Sequence, residues 1–307
     1  MKLSFIVALL MSLLLSNAVA MQEDIKLQKT LSQKEAALLF LSLMSTTAKY
    51  YYEQNSIDVV GMLDELDKLT KEKYGIKKQE IYKIFKKEMR GKSGFYTRED
   101  LVEKFSGYID KKSDIEIKKI DEILYLRLTY LKEENLPMIK DALMQGVQKI
   151  IVDLRGNDDC KKEVMVAFAN MLVDDKVILK YRYIDTQAQM QTKIYNADQN
   201  STVVRGAQVV ILTNNKTASS VEAVAHSLKY HENITVIGQD TAGMSNLFAM
   251  GLLDNADAYV LKNGEYFYGD FYVIDRVGLN PNIYVFEDNP RLDKTLIRAK
   301  KFLGDQR

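Results

Sequence analysis

The stretch from Ala207 to Tyr230 constrains what this chain can fold into more than any other. Val209-Val210-Ile211-Leu212 is a continuous apolar run, the pattern of a strand buried on both faces. Asn214-Asn215-Lys216 breaks it, and Val221, Val224, Ala225 and Leu228 then recur at the spacing of one helix face. A strand with no polar face needs a layer on either side, so this segment belongs inside an α/β sandwich. Ser219 falls at the helix start, where unpaired N–H groups and the helix dipole favour an oxyanion beside a nucleophilic serine. Ser219-x-x-Glu222 is equally a capping box, which needs no chemistry. Spacing alone favours the cap.

The same alternation extends to both sides. Ile123 to Leu128, Lys149 to Leu154, Val177 to Tyr183 and Ile234 to Ile237 read as strands. Pro137 and Gly146 bracket one helix, and Val164, Phe168, Met171 and Leu172 mark the face of another. Ala258 to Val273 reads as a hairpin about Asn263-Gly264, and Leu292 to Phe302 as a closing helix. The pattern predicts an α/β fold, a βαβ-type core with a mostly parallel sheet, over residues 116–307. Residues 21–115 are predicted to form a small helical domain. Ser32-x-x-Glu35 opens a run through Ala36, Leu39, Leu43 and Met44, and a second helix runs from Ile57 to Tyr74. A third carries Ile81, Ile84 and Phe85, and Thr97-x-x-Asp100 caps a fourth with Leu101, Phe105 and Tyr108. Asp110 to Asp114 joins the two domains. Tyr50-Tyr51-Tyr52 suits a peptide-binding edge or helix packing against the second domain.

Residues 1–20 read as a secretory signal peptide: Lys2, an apolar core from Leu3 to Leu15, and Ala18-Val19-Ala20 before the bond to Met21. Export to a periplasm or beyond is expected, with no membrane span after signal removal. The formal net charge of +1 falls to zero without Lys2, which argues against a nucleic-acid partner. Cys160 is the single cysteine, so no internal disulfide can form, and with two histidines no metal site is expected. No cofactor is implied.

Thr217-Ala218-Ser219-Ser220-Val221-Glu222 resembles the nucleophile motif of the C-terminal (tail-specific) processing peptidases, the S41 serine peptidases. Further landmarks stand in the family's order: Val152 to Arg155, Ile237 to Gly243, and Gly278 to Val285. The resemblance implies Ser219 as nucleophile, with backbone N–H groups of Ser220 and Asp159 as the oxyanion hole. Relatives carry Pro-Gly-Gly where this chain has Asp158-Asp159-Cys160. Their basic lysine falls on Met244, which takes no proton, and a following glutamine falls on Phe248. His226, Glu222, Lys216 and His231 are the ionisable neighbours, with His226 about 10 Å from Ser219 by helical rise. The PDZ domain of most relatives has no matching pattern here. Three functions are implied. The first is an exported serine peptidase acting on peptides or unfolded protein segments. The second is a weak or inactive member that binds peptides or a protein partner, and the third a structural protein working through its helical domain.

Overall fold

The structure, a computed structural model, describes residues 30–305 apart from 90–92, 110–111, 175, 245, 269–271, 274–275 and 288–290. The signal segment, the bond before Met21 and residues Asp110 and Lys111 of the joining stretch therefore lie outside the described residues. In chain order the elements begin with α1 (Gln33–Tyr50), α2 (Val59–Glu72), α3 (Lys78–Glu88), β1 (Gly94–Tyr96) and α4 (Arg98–Ile109). They continue with β2 (Asp114–Ile120), β3 (Ile123–Tyr130), α5 (Leu136–Leu143), β4 (Lys149–Asp153), α6 (Lys162–Asn170), β5 (Val177–Ile184) and β6 (Met190–Asn196). Next come β7 (Gln208–Thr213), α7 (Ser219–Leu228), β8 (Ile234–Gly238), β9 (Asn246–Leu252) and β10 (Ala258–Tyr268). The last are β11 (Tyr272–Val273), β12 (Ile283–Tyr284) and α8 (Lys294–Asp305).

The chain divides into two compact units. One takes the residues up to Asp110 together with Tyr183–Met190 and Phe248–Gly264, and the other takes Lys111–Arg182, Gln191–Leu247 and the residues from Glu265.

In the first unit the caps read from sequence are in place. The Ser32 and Glu35 side chains bond reciprocally at the start of α1, and the Thr97 hydroxyl donates to Asp100 at 2.7 Å before α4. Helix α1 then buries Ala36, Leu39, Phe40 and Leu43. Phe40 and Phe95 both pack on Phe85, with ring centroids 5.0 and 5.2 Å away. Tyr51 is fully buried in this core, while Tyr50 stacks on Tyr259 and the Tyr52 N–H donates to the Lys262 carbonyl. The triple tyrosine is therefore packed within its own unit. The unit is also not purely helical. Strand β1 pairs antiparallel with β10, Phe95 opposite Tyr259. Three residues are too few to show an alternation.

Strand β10 moves the turn of the predicted hairpin, because it continues through Asn263 and Gly264 and pairs antiparallel with β11 beyond them, Phe267 opposite Val273. Leu261 before that pair and Tyr266 after it are both buried, and the Lys262 ammonium is paired with Glu53 at 2.8 Å. Burial on both sides of the dipeptide outweighs its local turn preference.

The second unit carries a six-stranded sheet in the order β12-β8-β7-β4-β3-β2. Every neighbouring pair is parallel except β2 with β3. Strand β7 lies centrally, Val209 beside Ile150 on one side and Ile234 on the other. Val209 to Leu212 are at most 1% exposed. Val210 and Leu212 join Ile123, Tyr125, Ile151 and Ile237 in one cluster, closed by Ala299 and Leu303 of α8. The opposite face buries Val209 and Ile211, and α6 packs against α7. Each such aliphatic side chain contributes about 1.5–3 kcal/mol. The parallel strands deliver the turns after β4 and β7 to one edge, where ligands of such sheets bind.

Candidate active site

The two turns are bonded to each other. The Asn214 side-chain oxygen accepts the Gly156 N–H and the Lys216 N–H, both at 3.1 Å. Thr217 Oγ1 donates to the Leu154 carbonyl at 3.0 Å and accepts the Asn214 N–H. Beyond this knot the chain reaches Ser219, the first residue of α7, with φ of +61°. A side chain in that left-handed region costs about 1–2 kcal/mol, so neighbouring bonds are needed to hold it. They are present. The Ala218 N–H donates to the Asn157 carbonyl at 3.0 Å, the Ser219 N–H to the Met244 carbonyl at 2.9 Å, and Ser220 Oγ to the Cys160 carbonyl at 2.7 Å. The turn carrying Asp158 and Asp159 is thus fixed, at 157 and 160, to the residues on either side of Ser219. Ser220 occupies the second helical position, where an N–H has no intrahelical acceptor. Asp158 is exposed and Asp159 half-buried.

The capping box is not formed. The cap residue is Ala218, in extended conformation, and a serine already inside the helix with positive φ lacks the geometry a box requires. Glu222 is instead fully buried and accepts from Thr241 Oγ1, from the Gly243 N–H at 2.7 Å and from the Met244 N–H at 3.0 Å. It holds the 241–244 segment against α7. That segment is also tied by Ala242 N–H to the Thr217 carbonyl and by Leu279 N–H to Thr241 Oγ1 at 2.7 Å. At Gly243, with φ of +65°, an added Cβ would lie 2.8 Å from the Arg276 carbonyl carbon. Only glycine suits it.

Met244 therefore contacts the serine through its backbone, and its side chain is 51% exposed. That exposure leaves residue 244 outside any enclosed apolar pocket. His226 is buried against the rings of Tyr230 and Tyr268, centroids 5.7 and 4.9 Å away. Burial, with the Lys229 charge adding to it, pulls its pKa down to about 4, so it is neutral at neutral pH. The His231 N–H caps the end of α7 on the Leu228 carbonyl, and Lys216 is exposed.

Behind the turn after β4 stands a network that sequence reading touched only as landmarks. The buried Asp153 carboxylate accepts from Tyr125 at 2.7 Å and from Arg155 Nε and Nη2 at 2.9 and 2.6 Å. Arg155 forks onward to Asp293, both bonds at 2.8 Å. Burial alone would raise the Asp293 pKa, but the guanidinium overrides it and holds the carboxyl below its usual range. Asp293 lies 138 positions from Arg155, and no local signal ties it to this turn. Among the described residues no group of three or more His, Cys, Asp or Glu is arranged to hold a metal ion, and no helix is long and apolar enough to cross a membrane.

Comparisons with known proteins converge on one family. A model of peptidase family S41 matches residues 122–285, which contain β3 to β12 with both turns and Ser219. The carboxy-terminal processing protease CtpA of Bacillus subtilis is 24% identical over 209 residues, 64% of this chain and 44% of its own length. Carboxyl-terminal-processing peptidase 2, chloroplastic, of Arabidopsis thaliana is 24% identical over 165 residues, 52% of this chain and 31% of that protein. The chain thus spans less than half the length of these curated relatives. A solved lipoprotein of Streptococcus agalactiae superposes with a TM-score of 0.63 at 19% identity, over 88% of this chain and 96% of its own. That likeness is one of fold, and it extends over nearly the whole chain. With the family model covering more than half of its residues, the chain belongs to peptidase family S41.

Proposed function

We propose that this chain is an exported serine peptidase of the C-terminal processing type in which Ser219 is the nucleophile. The observation that carries the reading is the left-handed backbone of Ser219 at the start of α7, fixed by bonds at residues 218, 219 and 220. Strain of this kind persists at sites where a side chain has to be presented at one angle. Ser219 Oγ would attack the carbonyl carbon of a peptide bond as its proton passes to solvent water, and the N–H groups of Ser220 and Asp159 would receive the charge on the carbonyl oxygen. Collapse would break the C–N bond and release the protonated amine, and water would then hydrolyse the acyl-serine. The family relationship supports a peptide substrate, and the signal-like residues 1–20 support export. Methionine at 244 accepts no proton, so the attack lacks the base of relatives, which lowers turnover on the order of 10⁴- to 10⁶-fold.

A second reading, retention of a peptide without cleavage, is favoured by that same methionine. A fluorophosphonate probe distinguishes them. Slow labelling that is lost in Ser219→Ala supports the peptidase. Labelling equal in both proteins, or none after prolonged incubation while a peptide still binds, leaves the retention reading in its place.

A further inference from the structure

Arg155, at the start of the turn after β4, is bonded to a residue 138 positions away. Its own N–H donates to Asp153 Oδ1 at 3.0 Å, and its Nη2 is shared between Asp153 and Asp293, at 2.6 and 2.8 Å. Nη1 completes the fork on Asp293 at 2.8 Å. Asp293 also stands immediately before α8, where its Oδ1 accepts the Leu296 N–H at 2.8 Å. That is the bond of a helix cap. One carboxylate therefore starts the last helix and holds the guanidinium.

The three side chains differ in exposure: 2% for Asp153, 20% for Arg155 and 40% for Asp293. Removing Arg155 would strand the buried Asp153 carboxylate, a structural loss that hides any other role. Removing the charge of Asp293 leaves Asp153 and Arg155 as a matched pair.

What Arg155 steers comes next along the chain. Gly156 has φ of +78°, and an added Cβ would meet the Thr129 methyl at 3.9 Å, an ordinary contact. Backbone conformation rather than space calls for glycine there. A residue so free in φ does not set the direction of a turn, so the anchors on its two sides do. Before it stands Arg155. After it, the Asn157 side chain donates to the Leu128 carbonyl at 2.7 Å, and the Asn157 carbonyl accepts the Ala218 N–H at 3.0 Å. Asp159 lies between that anchor and the Cys160 carbonyl, which accepts Ser220 Oγ.

We propose that Asp293 is a positioning residue for the reaction of Ser219. Through Arg155 it sets the course of residues 156–160, and with it the place of the Asp159 N–H. The reaction in this statement rests on the proposed peptidase function. A carboxylate acting through space would do the opposite, because its negative charge opposes a developing oxyanion. Sign therefore separates the two. Loss of the Asp293 charge slows the serine if Asp293 holds the turn, and speeds it if the charge acts at a distance.

The variant is Asp293→Asn, since asparagine caps a helix as well as aspartate but gives the guanidinium no charge and one oxygen fewer. Labelling of Ser219 by a fluorophosphonate should slow about tenfold, and Asp293→Glu should recover part of the loss. Hydrogen exchange should quicken at 155–161 and stay unchanged at 294–305, with little change in melting temperature. Glu287→Gln is the control. Glu287 accepts the Thr295 N–H at 2.7 Å in the first turn of the same helix without bonding Arg155, so both readouts should keep their wild-type values. Labelling of Asp293→Asn at or above the wild-type rate, or exchange rising as much at 294–305 as at 155–161, would overturn the proposal. If the wild type takes no label, the peptidase reading fails by itself. Quicker exchange at 155–161 in Asp293→Asn then still supports the hold on the turn, and unchanged exchange overturns it.

Discussion

Ser219 sits at φ of +61°, a conformation that glycine adopts without strain and serine does not. Ser219→Gly and Ser219→Ala both remove the hydroxyl, so their difference isolates the backbone. The glycine variant is expected to be more stable by about 0.5–1.5 kcal/mol in urea unfolding, with neither variant labelled by a serine probe. An alanine variant as stable as glycine would show that the backbone there is unstrained. Met244 gives the complementary expectation. Its side chain is half exposed, so a lysine in its place keeps an ordinary pKa and is protonated at neutral pH. Met244→Lys should therefore raise Ser219-dependent hydrolysis less than about tenfold at pH 7 and more steeply above about pH 9. A large gain at pH 7 would mean that the lysine turns inward and loses solvent.

Strands β7 and β8 close together at their carboxyl ends, where Gly238 has φ of +139° and an added Cβ would strike the Thr213 carbonyl oxygen. Gly238→Ala should cost about 2–4 kcal/mol, read as a drop in the urea midpoint, because backbone rather than a side-chain tip is in the way. Strands β3, β4, β7 and β8 were legible because each carries a run of mostly apolar residues, and the capped helices because Ser32, Glu35, Thr97 and Asp100 act within four residues. Strand β1 and the straight course of β10 were not. Gly94 finds Val260 across 166 positions, and no local pattern encodes a partner that remote. At the candidate site, the place of Ser219 at the start of a helix after a buried strand was legible from its motif, whereas the role of Glu222 was not. A carboxylate three residues after a serine reads as a cap, and only the fold shows its acceptors filled from 241–244.

For the molecule as a whole, burial of His226 is expected to contribute to acid sensitivity. Its folded pKa of about 4 lies below the ordinary 6.5, so between those values the unfolded chain takes up a proton that the folded one refuses. Stability should fall as pH drops from about 6.5 to about 4, and His226→Phe, which keeps a ring against Tyr230 and Tyr268, should flatten that part of the curve. An unchanged slope in thermal melts would assign the acid sensitivity to other groups. The division of the chain has a separate consequence. Leu261 completes the core built on Phe40 and Phe85, and the Tyr82 hydroxyl donates to Asp257, 175 positions later. As the chain is synthesised from its N-terminus, α1 to α4 emerge long before the segment that finishes their core. Contacts of such separation are slow to form, so the core that these helices build stays open at the place of Leu261 until residue 264 has been made. A chaperone that shields that opening during the interval, or a ribosomal pause placed after β10, would raise the yield of folded protein.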